Sequence, residues 1–477
     1  MSARWSVLAA PLLAAACATP PTAPPSSECA EWFRALDDQV DAAQVRDVQE
    51  ARVPGHPYVR VNRLLASYRG AALRDEAALD ALVERMQALD LSARAHEIAN
   101  LGAAASLERA RECGSRLRAA DLADARRRAQ LLERAAVPDD YVAAYRVLGL
   151  YALTRWPFIA GVRDYQAEVR AAFRAGLEPR AGTTVRRYGP PAGPAVPRPA
   201  LAAMIARASD NPLAIPEPRG AALEALFAAH APVFEIETAG TYDQPGALGW
   251  RRGEEAPAVD TDAAVVYRMA AWTRYRGRTL LQLVYTIWFS ERPAAAPGDL
   301  LAGKLDGVTW RVTLAPDGEP LVYDSMHPCG CFHMFFPTPR AAPVPAPRDG
   351  MEWMFAPQAL RAVADGERPV LRIATRTHYL ERVTLAREPG AATRYAWRDY
   401  DELRSLARPE GGRASAFGPA YGLVAGTGRP ERFLFWPMGI RSAGAMRQWG
   451  RHATAFVGRR HFDDADLLEK RFVLDLH

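Results

Sequence analysis

Apolar positions repeat with one period in the first half of the chain and another in the second. Leu79, Leu82, Val83 and Met86 fall at i, i+3, i+4 and i+7, the stripe by which an amphipathic helix buries one face. Pro138-Asp139-Asp140 reads as a helix start, followed at helical spacing by Tyr141, Val142, Tyr145 and Leu148. Pro157 lacks the amide a helix interior needs and is expected to break or kink the helix at that point. Residues 28–176 therefore predict an all-helical domain without a fixed-period repeat.

The period shifts after a proline-rich interval. Residues 177–219 hold Pro190, Pro191, Pro194, Pro197, Pro199, Pro212, Pro216 and Pro218, and read as an extended connector with one short helix near Leu201–Ser209. Beyond it, Val233–Thr238 and Ala264–Trp272 read as strands. The nearly continuous apolar run Thr279–Phe289 reads as a buried central strand. Val308–Leu314 and Pro320–Ser325 flank Pro316-Asp317-Gly318, a hairpin signal. Pro337–Pro347 is a proline-rich loop, and Val370–Leu385 reads as one long strand on which His378 shares a face with Arg372 and Arg376. Phe433, Phe435 and Trp436 suggest an aromatic strand in the tail. The expected fold class is α+β: an N-terminal all-helical domain followed by a strand-rich mixed C-terminal domain over residues 220–477.

The first seventeen residues are of another kind. Arg4 supplies a positive start, Val7–Leu13 an apolar core, and Ala14-Ala15-Ala16 precedes Cys17. These residues resemble the signal peptide and lipobox of bacterial lipoproteins, with Ala14 where leucine is commonest. The resemblance implies that Cys17 becomes the lipidated first residue of the mature chain. With Ala18 rather than an aspartate after it, it further implies an outer-membrane anchor facing the periplasm. An ordinary secretory signal would instead give a soluble periplasmic or secreted protein. Residues 18–27, rich in proline and small polar residues, then form a tether. No later stretch reaches the ~18 apolar residues of a membrane span; the best, Tyr141–Leu153, is short and contains Arg146.

Charge changes the picture little. The net charge of +5 would suit nucleic acid, but the basic residues are scattered among acids, and only Lys304 and Lys470 of the 60 are lysines. They read as a solvated surface, so no nucleic-acid partner is expected. The expected partners are the membrane, through the anchor, and other envelope proteins.

Export makes disulfides permissible. With Cys17 lipidated, Cys29 and Cys113 form the natural long-range pair. Cys329 and Cys331 remain, within Met326-His327-Pro328-Cys329-Gly330-Cys331-Phe332-His333-Met334. On a straight strand, even residues Val322, Met326, Phe332, Met334 and Phe336 would face the core. Tyr323, Ser325, His327, Cys329, Cys331 and His333 would face the other side. His327 and His333 would then lie about 20 Å apart, so the ligands gather only if Pro328 and Gly330 turn the chain. Three readings stay open: a local Cys329–Cys331 disulfide, structural or redox-active; a zinc or copper site; and inert buried side chains. The metal set would draw on His327, Cys329, Cys331 and His333, completed by His378, or else by His452 or His461.

Other signatures are absent. The chain has no G-x-S-x-G elbow, no H-E-x-x-H, no P-loop and no dinucleotide fingerprint. A triad of Ser325, Asp324 and His327 is conceivable but compressed. Two functions remain: an envelope lipoprotein with a soft-metal or thiol-redox site in its second half, or a structural or interaction lipoprotein without catalysis. The anchor is tested directly by metabolic labelling with a radiolabelled fatty acid. The mature chain is expected to take up label and Cys17→Ser to abolish it; labelling that survives the substitution contradicts the lipoprotein assignment.

Overall fold

A computed structural model describes residues 25–477 apart from 73–74, 103–105, 194, 388–389 and 391. Cys17 and most of the expected tether lie outside the described residues. The architecture is α+β, with helices dominating the first part and strands the second.

The longer helices are α1 (Pro25–Ala42), α2 (Glu76–Leu101), α3 (Leu107–Ala123), α4 (Ala125–Arg134), α5 (Ala143–Leu148), α6 (Tyr151–Arg174), α7 (Arg198–Ala208), α8 (Gly220–His230) and the single turn α9 (Arg432–Phe435). The Leu79, Leu82, Val83 and Met86 stripe of α2 is buried, against Phe33, Tyr58 and Leu117. Asp75 caps this helix by accepting the amides of Ala77 and Ala78, and Gly102 ends it at φ 63°. Cys29 of α1 and Cys113 of α3 are disulfide-bonded, 5.1 Å apart at Cα.

Several expectations need correction here. The first part is not all helix: Ala51–Val53 and His56–Val61 form a hairpin that carries Arg60 inward to Asp90 (3.2 Å) and Glu97 (2.7 Å). Pro138-Asp139-Asp140 does not start the helix. The aspartates serve instead as partners, Asp139 accepting the Tyr141 amide and Asp140 pairing with Arg63 and Arg451, and α5 begins three residues later. Pro157 lies within the first two turns of α6 and does not end it. The connector is structured as well, since α7 and the strand Thr184–Gly189 lie inside it.

The strands of the two main sheets are β1 (Thr184–Gly189), β2 (Val233–Thr238), β3 (Val265–Tyr275), β4 (Arg278–Arg292), β5 (Gly303–Leu314), β6 (Pro320–Met326), β7 (Met334–Pro337), β8 (Arg368–Ile373), β9 (Leu380–Ala386), β10 (Thr393–Arg394) and β11 (Ala396–Asp399). One sheet has the order β7-β6-β5-β4-β3-β11 and the other β9-β8-β2-β1-β10. The run predicted as a central strand is β4, flanked on both sides. Its odd residues, Leu281 to Phe289, meet Phe234 and Ile236 of β2 and Leu371 and Ile373 of β8 in one core, closed by Phe173 of α6 and Phe227 of α8. Alternation thus gives each sheet a face to bury against the other.

The expected long strand 370–385 is two strands. β8 and β9 pair antiparallel, and between them Thr375 Oγ1 and the Arg376 amide both donate to Asp243, at 2.7 Å each. That distant carboxylate holds the reversal, which neither glycine nor proline marks. Phe433 and Phe435 lie in α9 and Trp436 in the helical turn after it, not on a strand, because Pro430 and Pro437 bracket the segment.

The halves are joined by buried charges. Arg404 reaches Asp47 (2.8 Å) and Glu50 (3.3 Å), and Arg63 reaches Asp463 (2.9 Å). The Cys29–Cys113 bond closes a loop of 84 residues, so Cys29→Ala with Cys113→Ala is expected to cost about 4 kcal/mol of stability in denaturant unfolding. An unchanged midpoint would contradict a stabilising role for the bridge.

Candidate functional site

The site is built on a chain reversal between β6 and β7. The Gly330 amide donates to the His327 carbonyl (2.8 Å) and the His327 amide to the Cys331 carbonyl (3.0 Å), closing a tight loop. Pro328 supplies its second position, and Gly330 sits at φ 91°, where a Cβ would meet the Ala453 carbonyl oxygen at 2.6 Å. The turn expected from Pro328 and Gly330 therefore forms. It also overturns the parity assignment. β6 and β7 pair with Tyr323 opposite Phe336 and Ser325 opposite Met334, so odd residues of one share a face with even residues of the other. Tyr323 accordingly packs in the same core as Trp310 and Phe336.

Both thiols are free, Cys329 buried and Cys331 half-buried. The Cys331 amide donates to Cys329 Sγ at 3.4 Å, and the Cys331 thiol hydrogen-bonds the same sulfur. Burial opposes ionisation of Cys329, but the Cys331 hydrogen bond and the charge of Arg429 hold it below the ordinary thiol range. The same hydrogen bond, together with burial, pushes Cys331 well above it. The pair therefore gives up its first proton more readily than a lone thiol and its second less readily. Arg447 is buried nearby, donates to the carbonyls of Ala445, Arg441 and Ser442, and makes no carboxylate pair among the described residues. Its charge and that of Arg429 give the sulfurs the electropositive setting that favours a thiolate.

The metal set does not assemble. Among the described residues, no group of three or more His, Cys, Asp or Glu side chains is arranged to hold an ion. The histidines are committed elsewhere. His327 Nδ1 donates to Asp306 Oδ1 (2.9 Å), and His378 Nδ1 donates to Asp306 Oδ2 (3.0 Å). His333 Nε2 donates to Asp324 Oδ2 (2.9 Å), while its Nδ1 meets Thr454 Oγ1. His378 Nε2 faces the Tyr242 carbonyl (3.2 Å) and Asp243 (3.4 Å). Burial works against its charge, yet acceptors at both nitrogens raise its pKa and favour the charged ring, which stacks on Phe289 at 3.9 Å. His333, by contrast, is pushed down to about 3 by burial and stays neutral. His452 Nε2 donates to the Pro328 carbonyl (3.1 Å), bracing the turn rather than ligating. His461 lies against Asp139, Asp140 and Asp464. The Ser325, Asp324, His327 triad is not made either, because Asp324 is taken by Arg311 and His333.

A cavity of about 580 Å³ opens beside the turn. Phe158, Phe332, Phe355, Phe435 and Phe456 give it an apolar wall, and Cys329 and Cys331 line it. Its size and lining are those of a small-molecule site. Few polar groups interrupt the wall. The Tyr165 hydroxyl is buried without a hydrogen-bond partner among the described residues. Glu431 is 3% exposed and makes no side-chain hydrogen bond or ion pair among the described residues. Burial pushes its carboxyl up to about 7, against the pull of Arg429 and Arg292. Tyr379, pushed up to about 12 by burial, accepts from Arg292 (3.2 Å) and packs on Phe332 (4.6 Å).

Asp306, Asp243, Glu431, Arg429 and Arg447 went unnoticed in the sequence. The available signal was an aspartate followed by glycine, Asp306-Gly307, just ahead of an apolar strand. The chain matches no protein-family model, no curated protein and no solved structure.

Glu431 supplies a test of these electrostatics. Its carboxyl is raised when folded, so the folded chain binds the extra proton between about pH 4.5 and 7 and loses stability as pH rises through that window. Glu431→Gln is expected to stabilise the protein at pH 8, by up to about 3 kcal/mol at ~1.4 kcal/mol per unit, and to be neutral near pH 4. Thermal unfolding of both forms at the two pH values checks this; a gain equal at both would contradict the raised carboxyl.

Proposed function

We propose that the chain is an envelope lipoprotein whose second half carries a thiol-redox site, with Cys329 and Cys331 exchanging with disulfides of small apolar molecules admitted to the cavity. The observation that carries the reading is the pair itself: two free thiols sharing a hydrogen bond in a tight turn, lining an apolar cavity. Such a pair has a partner for each proton and a second sulfur in reach of the first.

The exchange balances without any further redox group. In its thiolate form Cys329 attacks one sulfur of the substrate disulfide; the Cys329–substrate S–S bond forms, the substrate S–S bond breaks and the first substrate thiolate leaves. Cys331 then gives its proton to the Glu431 carboxylate and attacks Cys329. The Cys329–Cys331 bond forms, the mixed disulfide breaks, and the second thiolate takes the proton from Glu431. The substrate disulfide is reduced by two electrons and the cysteine pair oxidised by two. A carboxyl with pKa near 7 can both accept and return that proton.

Zinc or copper held by three or four of the residues named from the sequence does not fit, since their histidines bond carboxylates and carbonyls. The alternative, a structural or interaction lipoprotein, makes both thiols inert.

Trapping free thiols after equilibration in glutathione buffers separates these readings. The chain is expected to pass from two free thiols to none in one step, as an internal disulfide, and Cys331→Ser to abolish that step. An aromatic disulfide should outpace oxidised glutathione, relative to free cysteine, by at least about tenfold, the worth of ~1.4 kcal/mol of apolar contact. Thiols that stay free at every poise, or react independently, would sink the proposal.

A further inference from the structure

An apolar run in the first half of the chain is exposed. In α5, the turn after it and the start of α6, Val147 and Leu148 are each 74% exposed, Leu150 62% and Leu153 68%, with Trp156 beside them. α9 adds Phe433, 68% exposed, and Leu434. The two ridges are neighbours: Tyr145 packs edge-on to Trp436 (6.1 Å) and Phe158 to Phe435 (5.4 Å). Seven large apolar side chains therefore share one surface, where a monomer rarely shows so much contiguous apolar area.

Four arginines lie around this face. Arg146, Arg155, Arg432 and Arg441 make no ion pair among the described residues, in a structure where arginines are otherwise widely paired. Each lies over an aromatic ring instead: Arg146 over Tyr141 and Tyr151, Arg155 over Trp156, Arg432 over Phe433, and Arg441 over Tyr421 at 3.8 Å. Aliphatic side chains with Trp and Tyr, rimmed by arginines without counter-ions, match the boundary between acyl chains and anionic headgroups. A protein partner would ask for shape; this face offers apolar depth and unpaired cations.

We infer that the face formed by residues 143–157 and α9 docks on an anionic lipid bilayer. The reading is independent of the thiol chemistry, and it does not require an anchor at Cys17. It does place one wall of the cavity next to the membrane, because Pro157, Phe158, Leu434 and Phe435 line the cavity as well.

The full chain, reconstituted into phosphatidylethanolamine vesicles with or without phosphatidylglycerol, tests this with acyl-brominated lipids as quencher. The signal of Trp156 is the difference between wild type and Trp156→Phe. That difference is expected to be largely quenched, and more so with phosphatidylglycerol. Arg155→Gln with Arg432→Gln and Arg441→Gln should lose the phosphatidylglycerol dependence while circular dichroism stays unchanged. A photoreactive residue at position 148 in cells should give lipid adducts. Trp156 left unquenched by bromolipid and open to aqueous iodide overturns the proposal, as do protein adducts at position 148 without lipid ones. Neither outcome touches the thiol trapping, so the two readings fail separately.

Discussion

The second half is organised around one buried carboxylate. Asp306 is wholly excluded from solvent, and an ion so placed survives only with several donors. It has them: His327 Nδ1 at 2.9 Å, His378 Nδ1 at 3.0 Å and the Gly307 amide at 2.9 Å, with Arg429 Nη2 at 3.8 Å. Burial opposes its charge, but the neighbouring His327, His378 and Arg429 hold it well below the usual carboxylate range. These donors come from four places in the chain: β5 itself, the thiol turn, the β8–β9 reversal and the segment before α9. Removing the carboxylate would leave His378 with only the Tyr242 carbonyl and Asp243, both at its other nitrogen, and free the histidine that opens the turn.

The sulfurs depend on that arrangement at one remove. His327 begins the loop whose closure sets Cys329 and Cys331 together, and Arg429, fixed on the Leu305 carbonyl at 2.9 Å, supplies one of the charges that favour a thiolate. Glu431, two residues on, opposes it: its charge raises the pKa of both cysteines. Cation and carboxyl are thus delivered by the same segment. The thiolate is favoured most when Glu431 carries a proton, which couples the two titrations.

How much of this was legible depended on distance along the chain. Local chemistry read well: Pro316-Asp317-Gly318 made its hairpin, the Thr279–Phe289 run became β4, and Pro328 with Gly330 turned the chain. Two non-local facts did not. The β8–β9 reversal has no glycine or proline and puts Arg376 and His378 at positive φ, a conformation held by Asp243 from more than 130 residues away. Facing parity depended on register, and a pairing of 323 with 336 reverses the sides that a single strand implies. The histidines looked like ligands because composition cannot show that Asp306 and Asp324 already hold them.

The central claim is that Cys329 and Cys331 titrate as one pair. Cysteine labelled with ¹³C at Cβ reports each thiol separately by NMR as pH is raised. The structure requires one ionisation below the ordinary thiol range and the other well above it, and substituting Cys331 by Ala should return Cys329 toward the ordinary range or beyond it. Two independent titrations at ordinary thiol values, unmoved by that substitution, would contradict the account.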